Sequence, residues 1–390
     1  MNIGIMGFGN VGRGAYNVIS DKKTGLCVKR ILDIGALPGY ESLLTTKPAD
    51  IFEDGEIDAV VESIGGIEPA RSYVLAALRA KKHVVTANKQ LISACGEELE
   101  AAAQENKVEL RYSASVGGGI PWLFSLSRAA RTDEIIEVGG IVNGTTNFIL
   151  DAMTKQGADF DDTLKEAQRL GFAESDPSAD IDALDSHRKC VISARCAFNA
   201  AVTEQDIPFF GIRDIKGFDI ERFKSLKRVC KLFIFAKKQG GAVSAFAEPT
   251  LFADTAVEGA IPSNYNFIYL VGARSGKLGF FGQGAGSDPT GATVVADLAD
   301  IAFRHDGANT RHPEAFQIAN DTACHSYYVR TSNASAADEF YAESDDKSEI
   351  DGNYVCITKP LPVSYMHQKA KKMKELDPHL FFAGLYEDKV

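Results

Sequence analysis

Short apolar runs alternate with amphipathic stretches along residues 1–140. The apolar runs have the length of buried strands and lie at 3–6, 28–32, 57–61, 83–86 and 108–112. Between them, stretches such as 69–80 and 97–105 repeat their apolar residues at helical spacing. Strands that alternate with helices favour a parallel sheet covered by helices on both faces. The pattern therefore predicts an α/β fold with a doubly wound parallel sheet in this part of the chain.

The hydrophobic pattern changes beyond residue 130. Strand-like runs lie at 135–142 and 232–236, and a long helical stretch follows Asp182, so this region predicts an α+β domain. The chain is rich in glycine again over 272–291, and 292–303 predicts a helix with apolar residues on one face.

The last part of the chain is more polar. Residues 326–331 and 353–358 predict strands, and 364–376 predicts a helix with apolar residues in register. The acidic stretch 338–351 shows neither helical nor strand periodicity and predicts a loop.

Composition and charge narrow the functional classes. With 390 residues, 45% of them hydrophobic and 24% charged, the chain has the composition of a globular protein of two or three domains. The net charge of −11 argues against a nucleic-acid-binding surface. No apolar run is long enough to span a bilayer, and the N-terminus lacks the pattern of a signal peptide. The seven scattered cysteines indicate reduced thiols, so we expect a cytoplasmic protein. From the net charge and the length of the apolar runs, we expect neither nucleic-acid nor membrane partners.

A glycine-rich turn directly follows the first predicted strand and opens a helix. Its residues are Gly7, Phe8, Gly9, Asn10, Val11 and Gly12. In the Rossmann-type fold, the first glycine of such a turn permits the bend, the second lets a pyrophosphate approach, and the third lets helix and strand pack closely. The N–H groups and dipole at the helix N-terminus favour the anion. The turn therefore predicts a dinucleotide cofactor.

Asp33 lies at the end of the second predicted strand, about twenty residues beyond the glycines. A carboxylate there can accept hydrogen bonds from a ribose 2′-hydroxyl and would repel a 2′-phosphate. The position therefore predicts NAD in preference to NADP. A solvated charge at a strand end is the alternative.

Further short motifs occur in an order that is far more specific than any one of them. They are Glu-Ser-Ile-Gly-Gly at 62–66, Val-Val-Thr-Ala-Asn-Lys at 84–89, Ser-Val-Gly-Gly-Gly-Ile-Pro at 115–121, Asn-Gly-Thr-Thr-Asn at 143–147, Gly-Phe-Ala-Glu-Ser-Asp-Pro at 171–177, the stretch from Asp180 to Lys189, and Gly-Ala-Gly-Ser-Asp-Pro-Thr at 284–290. Together with the glycine turn, they make residues 1–305 resemble the homoserine dehydrogenase family.

The resemblance implies a reaction and a domain plan. The reaction is the reversible NAD(P)-dependent reduction of L-aspartate 4-semialdehyde to L-homoserine, on the route to threonine, methionine and isoleucine. The plan is a dinucleotide-binding domain at 1–130, a catalytic and dimerisation domain at 131–280, a return to the nucleotide-binding domain at 281–320, and a tail at 321–390. The assembly it implies is a homodimer, with pairing of dimers into tetramers left open.

Aldehyde reduction needs a hydride donor over the carbonyl carbon and a proton donor near its oxygen. Lysine suits the second role because desolvation or a neighbouring cation can lower its pKa. Asp185 and Lys189 are four residues apart and share a face of the predicted helix, although such a pair is often only a surface ion pair. The resemblance implies that Lys189 is the proton donor and that Asp185 binds or orients the substrate.

The resemblance also implies contacts at other positions. Lys89, just after a strand at the carboxyl edge of the sheet, contacts cofactor and substrate and is a second candidate for proton transfer. Glu174 holds the substrate's α-ammonium group, although a carboxylate in such a loop could simply be solvated. The remaining positions are Asp180, Thr145 and Gly144 for substrate, and Thr86 and Gly286 for cofactor.

Three positions depart from the pattern of the family. Phe172 stands where the family often has tyrosine, so we expect one hydroxyl contact to the substrate to be missing. Ala183 stands where glycine is common, and we expect this change to be mild because alanine favours a helix by about 1 kcal/mol. Ser113 stands where relatives carry a glutamate that holds a sodium ion together with backbone carbonyls, here those of Val116, Gly118 and Ile120. We therefore expect a weakened sodium site.

The tail resembles a shortened ACT-type regulatory module that lacks one strand and one helix. The usual glycine-bearing ligand loop is not visible, so we expect weak or absent inhibition by threonine. A tail that only packs on the catalytic domain is the alternative.

Two competing functions remain open at this point. One is another amino-acid dehydrogenase of the same fold, and the other is a catalytically inactive nucleotide sensor. The spacing from Glu174 to Lys189 argues against the first, and the occupied catalytic positions argue against the second.

Overall fold

The computed structural model describes residues 1–21, 24–303 and 317–385. The predicted return to the nucleotide-binding domain and the predicted tail therefore lie partly outside the described residues, at 304–316 and 386–390. The chain divides into two compact units, one of Met1–Asp133 with Gly282–His312 and one of Glu134–Phe281 with Pro313–Val390. None of the described helices is both long and apolar enough to cross a membrane.

The described elements are numbered in chain order. The strands are β1 Asn2–Met6, β2 Cys27–Leu32, β3 Leu44–Thr45, β4 Ala59–Glu62, β5 His83–Thr86, β6 Leu110–Arg111, β7 Ile135–Ile141, β8 Arg228–Gln239, β9 Ala242–Ala253, β10 Tyr265–Gly272, β11 Gly276–Gln283, β12 Gln317–Ile318, β13 Cys324–His325, β14 Tyr327–Thr331, β15 Ser344–Ile350, β16 Asn353–Thr358, β17 Leu361–Pro362 and β18 Phe381–Leu385. The helices are α1 Asn10–Asp21, α2 Ala49–Phe52, α3 Ala70–Arg79, α4 Lys89–Asn106, α5 Trp122–Ala129, α6 Gly144–Gln156, α7 Phe160–Arg169, α8 Ser178–Ile181, α9 Leu184–Phe198, α10 Gly217–Ser225, α11 Val257–Ala260, α12 Ser287–Ala302, α13 Ala334–Tyr341 and α14 Val363–Met373.

The first unit is built on a parallel sheet in the order β3-β2-β1-β4-β5-β6. This is the doubly wound order, in which the direction of winding reverses between β1 and β4. Strand β4 is buried throughout, as a central parallel strand should be. Helix α12 returns to this unit and packs on α1, where an added Cβ on Gly14 would lie 2.2 Å from the Ser287 carbonyl oxygen. The Rossmann-type sheet predicted from the sequence is confirmed.

The second unit is built on a mixed sheet, in which the described strands follow the order β11-β10-β7-β8-β9-β18-β14-β16-β15. Its centre is the long antiparallel pair of β8 and β9. Helix α9 lies against these two strands and against β7. The α+β character expected for this region is confirmed.

The tail contributes to the same sheet rather than forming a separate layer. Its main elements follow the order β14-α13-β15-β16-α14-β18, which is the β-α-β-β-α-β plan of ferredoxin-like modules. Strand β18 pairs in parallel with β9 and joins the tail to the rest of the sheet. The acidic stretch forms the end of α13 and the edge strand β15, so the predicted loop is wrong. The shortened module without one strand and one helix is wrong as well, because the complete plan is present.

A buried charge cluster fastens the tail to β9. Glu248 on β9 is fully buried, and its carboxylate oxygens contact His325 Nε2 at 2.9 Å and His367 Nε2 at 2.5 Å. Burial alone would raise the pKa of Glu248, but hydrogen bonds from the two imidazoles lower it to about 2. The carboxylate is therefore ionised across the ordinary pH range.

Candidate active site

The three glycines of the first turn occupy positions with different steric demands. Gly7 has φ +88°, and its N–H donates to the Leu32 carbonyl at 2.9 Å. An added Cβ on Gly12 would lie 2.2 Å from the Gly7 carbonyl oxygen, so only glycine fits there. Gly9 is exposed, and an added Cβ would meet no atom within 4 Å. This open space at the start of α1 fits the approach of a cofactor pyrophosphate.

Asp33 fixes the end of β2 to the glycine turn. Its Oδ2 accepts from the Phe8 N–H at 2.8 Å, and its Oδ1 accepts from the Gly35 N–H at 2.9 Å. These two backbone donors place a partly exposed carboxylate at the carboxyl edge of the sheet. A charge in this position can accept hydrogen bonds from a ribose.

The first turn of α1 also contacts the returning segment. Ser287 Oγ donates to the Asn10 carbonyl at 2.7 Å, and Val11 is half-buried beside it in sequence. Gly286 precedes α12 with φ +132°, a conformation that favours glycine. Gly286 is thus adjacent in sequence to Ser287, whose hydroxyl is hydrogen-bonded to the glycine turn.

A buried carboxylate that the sequence reasoning did not single out organises the ends of β4 and β5. Glu62 Oε2 accepts from Thr86 Oγ1 at 2.5 Å, and Oε1 accepts from the Ile64 N–H at 2.8 Å. Burial raises the pKa of Glu62, and these hydrogen bonds oppose the rise. Asn88 caps α4 by accepting from Leu91 N–H, and Lys89 is the first residue of that helix and half-buried.

The second unit brings three of the predicted substrate-site residues together. Lys189 Nζ donates to the Val142 carbonyl at 2.7 Å and to Asp185 Oδ2 at 2.8 Å. The side chains of Lys189 and Asp185 are only 9% and 5% exposed, so this is not a surface ion pair. Asn143 Nδ2 donates to Asp185 Oδ2 at 2.8 Å and to Asp180 Oδ1 at 2.7 Å, which adds the third residue.

Asn143 has a second role at the start of α6. Its Oδ1 accepts from the Thr146 N–H at 2.9 Å and so caps the helix. Thr145 Oγ1 donates to the Phe172 carbonyl at 2.6 Å, which ties the helix start to the loop before α8. An added Cβ on Gly144 would lie 2.7 Å from the Asn264 carbonyl oxygen, so the chain needs glycine there.

The carboxylates of this cluster affect each other. Burial raises the pKa of Asp180, and the charge of Asp185 raises it further. The amide of Asn143 and the ammonium of Lys189 oppose this rise. The cluster therefore holds acid groups and an amine in a desolvated space, which is the setting in which proton transfer can be tuned.

Ala183 does not have the conformation that the sequence reasoning assumed. It precedes α9 with φ +68°, in the left-handed region, and is fully buried. Helix propensity therefore does not apply to it, and the expectation of a mild change on that ground is wrong. An L-residue in this region costs about 1–2 kcal/mol, which glycine avoids.

Glu174 lies apart from the buried cluster. It is exposed in the loop between α7 and α8, where Gln168 Nε2 donates to its carbonyl oxygen at 3.0 Å. None of the described hydrogen bonds links its carboxylate to Lys189, Asp185 or Asp180. The role of Glu174 stays a prediction.

Two of the three carbonyl groups predicted to hold sodium already accept hydrogen bonds within the protein. The Gly118 carbonyl accepts from Thr293 Oγ1 at 2.7 Å, and the Ile120 carbonyl accepts from a backbone N–H at 2.7 Å. Ser113 donates through its N–H and hydroxyl to Asp297, at 2.9 and 2.7 Å. No cluster of His, Cys, Asp and Glu suited to a metal ion was found among the described residues. With Val116 as the remaining predicted ligand, we assign no step to sodium.

A dinucleotide turn on a Rossmann-type sheet and a buried lysine–carboxylate cluster define a nicotinamide-dependent dehydrogenase. Comparison with known proteins narrows this class. The family model for homoserine dehydrogenase matches residues 121–299, and the model for the NAD-binding domain of homoserine dehydrogenase matches residues 7–113. Together these matches cover most of the described chain.

Individual relatives agree with the family models. The homoserine dehydrogenase of Bacillus subtilis is 40% identical over 316 residues, which are 77% of this chain and 72% of that protein. That of Synechocystis is 38% identical over 77% of this chain and 73% of its own length. The crystal structure of a homoserine dehydrogenase from Thiobacillus denitrificans has a TM-score of 0.85 and 31% identity, over 99% of this chain and 98% of that one. The chain belongs to the homoserine dehydrogenase family, and the two competing functions are set aside.

Proposed function

We propose that the protein catalyses the reversible reduction of L-aspartate 4-semialdehyde to L-homoserine, with Lys189 as the proton donor. The observation that carries the proposal is the buried Lys189 ammonium, which Val142 and Asp185 hold in one position. A fixed donor in a desolvated site is what protonation of a carbonyl oxygen requires. The reduced nicotinamide, when bound, supplies the hydride to the carbonyl carbon.

The residues of the second unit would divide the work as follows. Lys189 gives its proton to the aldehyde oxygen during reduction and takes it back when homoserine is oxidised. Asp185 accepts a hydrogen bond from the Lys189 ammonium and holds the ammonium in a fixed position. Asn143 holds Asp185 and Asp180 in place.

Substrate recognition is assigned to residues around this cluster. Asp180, Thr145 and Gly144 would line the substrate, and Glu174 would pair with its α-ammonium group. Lys89 would contact cofactor and substrate, with a proton-transfer role as the alternative.

We assign the cofactor to the turn of residues 7–12, with Thr86 and Gly286 as further contacts. The open space beside Gly9 and the backbone-anchored carboxylate of Asp33 support this assignment. Because Asp33 would repel a 2′-phosphate, we propose that NAD is preferred over NADP. We further propose a cytoplasmic homodimer, with domains at 1–130, 131–280, 281–320 and 321–390, and weak or absent threonine inhibition.

The decisive experiment follows the absorbance of reduced nicotinamide with L-homoserine and either NAD or NADP. A faster increase in absorbance with NAD supports both the reaction and the role of Asp33. A faster increase with NADP supports the reaction and contradicts the role of Asp33. No increase with either cofactor, from folded protein, contradicts the proposed reaction.

Variants of two lysines test the proton donor. Lys189→Ala should lower kcat by about 10²-fold or more while cofactor binding persists. Lys165→Ala is the matched control, because Lys165 is an exposed lysine on α7 of the same unit. Equal turnover in the two variants would remove Lys189 from the mechanism.

A further inference from the structure

A cleft in the second unit lies outside the cluster around Lys189. It has a volume of about 670 Å³ and lies between the segment 204–214 and helix α14 of the tail. Its walls include Phe209, Phe210, Arg213 and, from α14, Lys371. A cleft of this volume has the size of a small-molecule site. The residues assigned to catalysis are not part of its lining.

One wall of the cleft contacts the catalytic helix directly. The Phe209 ring stacks on the His187 ring, with centroids 4.4 Å apart, and Phe209 is 41% exposed. His187 is buried on α9 between Asp185 and Lys189, and its Nε2 is 2.9 Å from the Glu204 carbonyl oxygen, at the same cleft. Phe209 thus connects the cleft to the helix that carries Asp185 and Lys189.

A second wall contacts the segment that follows Asp180. Arg213 binds Asp182 through two bonds of 2.6 Å each, from Nε and Nη2. The Ile212 N–H donates to the Ile181 carbonyl at 2.7 Å. The cleft is thus joined by short contacts to residues 181 and 182, which directly follow Asp180.

The charges of the lining indicate what the cleft can bind. Arg213 is paired with Asp182, and Lys374 is paired with Asp214 at 2.6 Å while its ammonium lies 4.7 Å from the centre of the Phe210 ring. Lys371 is exposed and takes part in none of the ion pairs of the described residues. Glu204, the remaining carboxylate of the lining, lies 3.6 Å from Arg188. The lining thus combines a cation open to a ligand with the exposed face of an aromatic ring, which suits an anion with an apolar body.

We propose that this cleft is a second ligand site, which binds a small carboxylate with an apolar or aromatic body. The carboxylate pairs with Lys371, and the apolar body packs on Phe209. Through the Phe209–His187 stack, occupancy alters the position of α9 and therefore the kinetics of the site on that helix.

Calorimetric titration of the whole enzyme with benzoate, without substrate or cofactor, tests the binding. Benzyl alcohol is the uncharged comparison. We expect benzoate to bind and benzyl alcohol to bind more weakly. Lys371→Gln should weaken benzoate binding by about fivefold, which is what one exposed ion pair contributes. The matched control is Lys372→Gln, because Lys372 is also exposed but does not line the cleft.

Three results would overturn the binding proposal. They are no benzoate binding, binding that Lys371→Gln and Lys372→Gln change equally, and displacement of benzoate by homoserine. The titration does not depend on turnover, so it can succeed or fail separately from the proposed reaction. The coupling has its own test: saturating benzoate should change kcat or KM for homoserine in the unaltered enzyme, and Lys371→Gln should reduce that effect at the same benzoate concentration. Unchanged kinetics at saturation would refute the coupling.

Discussion

Asn143 is the residue whose replacement should disturb the active-site cluster most directly. Its amide nitrogen donates to two carboxylates, and its amide oxygen caps α6. In Asn143→Asp the side chain keeps its shape and its capping oxygen. The –NH₂ group becomes a carboxylate oxygen, which faces Asp180 and Asp185 instead of bonding to them.

The expected loss of stability follows from these contacts. A hydrogen bond to a charged group contributes about 1.5–3 kcal/mol, so losing two of them costs roughly 4 kcal/mol. Asn143 is only 4% exposed, so little water can replace the lost donors. Repulsion among three carboxylates adds to this cost at neutral pH. The sum is a large part of the stability of an ordinary protein.

Urea unfolding as a function of pH separates the two contributions. At pH 8 the variant should be less stable than the unaltered protein by about 4 kcal/mol or more. The new buried acid has a raised pKa in the folded state, so the deficit should shrink as the pH falls and the acid gains a proton. Asn143→Ser loses the donors without adding a charge, so its deficit should depend on pH less steeply than that of Asn143→Asp. A pH-independent deficit in Asn143→Asp, or none, would refute this account of the cluster.

Three other predictions test features of the fold. Because the pKa of Glu248 is about 2 in the folded protein and 4.5 ordinarily, its ionisation stabilises the fold above pH 4.5, and about 3 kcal/mol of this stability is lost as the pH falls toward 2. Urea unfolding of Glu248→Gln should lack this acid-dependent loss. A pH profile identical to that of the unaltered protein would contradict the prediction. Burial raises the pKa of Asp297 from 3.8 to about 6, so stability should decline by about 3 kcal/mol as the pH rises through this range. In thermal unfolding, Asp297→Asn should show a smaller decline. A decline equal to that of the unaltered protein would contradict the prediction. Ala183→Gly should change the free energy of unfolding by less than about 1 kcal/mol, since glycine relieves the left-handed backbone and this offsets the lost methyl group. Ala194→Gly inside α9 should cost about 2 kcal/mol. Equal losses in the two variants would show that Ala183 is not strained.

The sequence predicts the first unit well because its signals are local. The strand at 83–86 coincides with β5, and the glycine turn follows β1 and opens α1 as expected. Hydrophobic periodicity and turn residues act over a few neighbours, so a parallel α/β unit can be read from them. The short strand β3 lacks a clear periodicity, and the sequence reasoning missed it.

The second unit was harder to predict because its stability depends on distant contacts. Strand β15 is charged and exposed at the sheet edge, where alternation is not required, so it looked like a loop. Asn143 meets Asp180 and Asp185 only in the folded chain, and Glu248 meets His367 across more than a hundred residues. The pair of Asp185 and Lys189 was predictable, because their spacing on one helix is local.

The position of β18 in the sheet has a consequence for how the chain is made. This strand comes last of all described strands, yet it lies between β9 and β14 rather than at an edge. While the protein is being synthesised, β9 and β14 must therefore wait with exposed backbone groups until residues 381–385 leave the ribosome. A nascent or truncated chain that ends before Phe381 presents two open edges to its neighbours, and such edges readily pair with other chains. This sheet can therefore be completed only when residues 381–385 are available, and the hazard of aggregation through these two edges lasts until then.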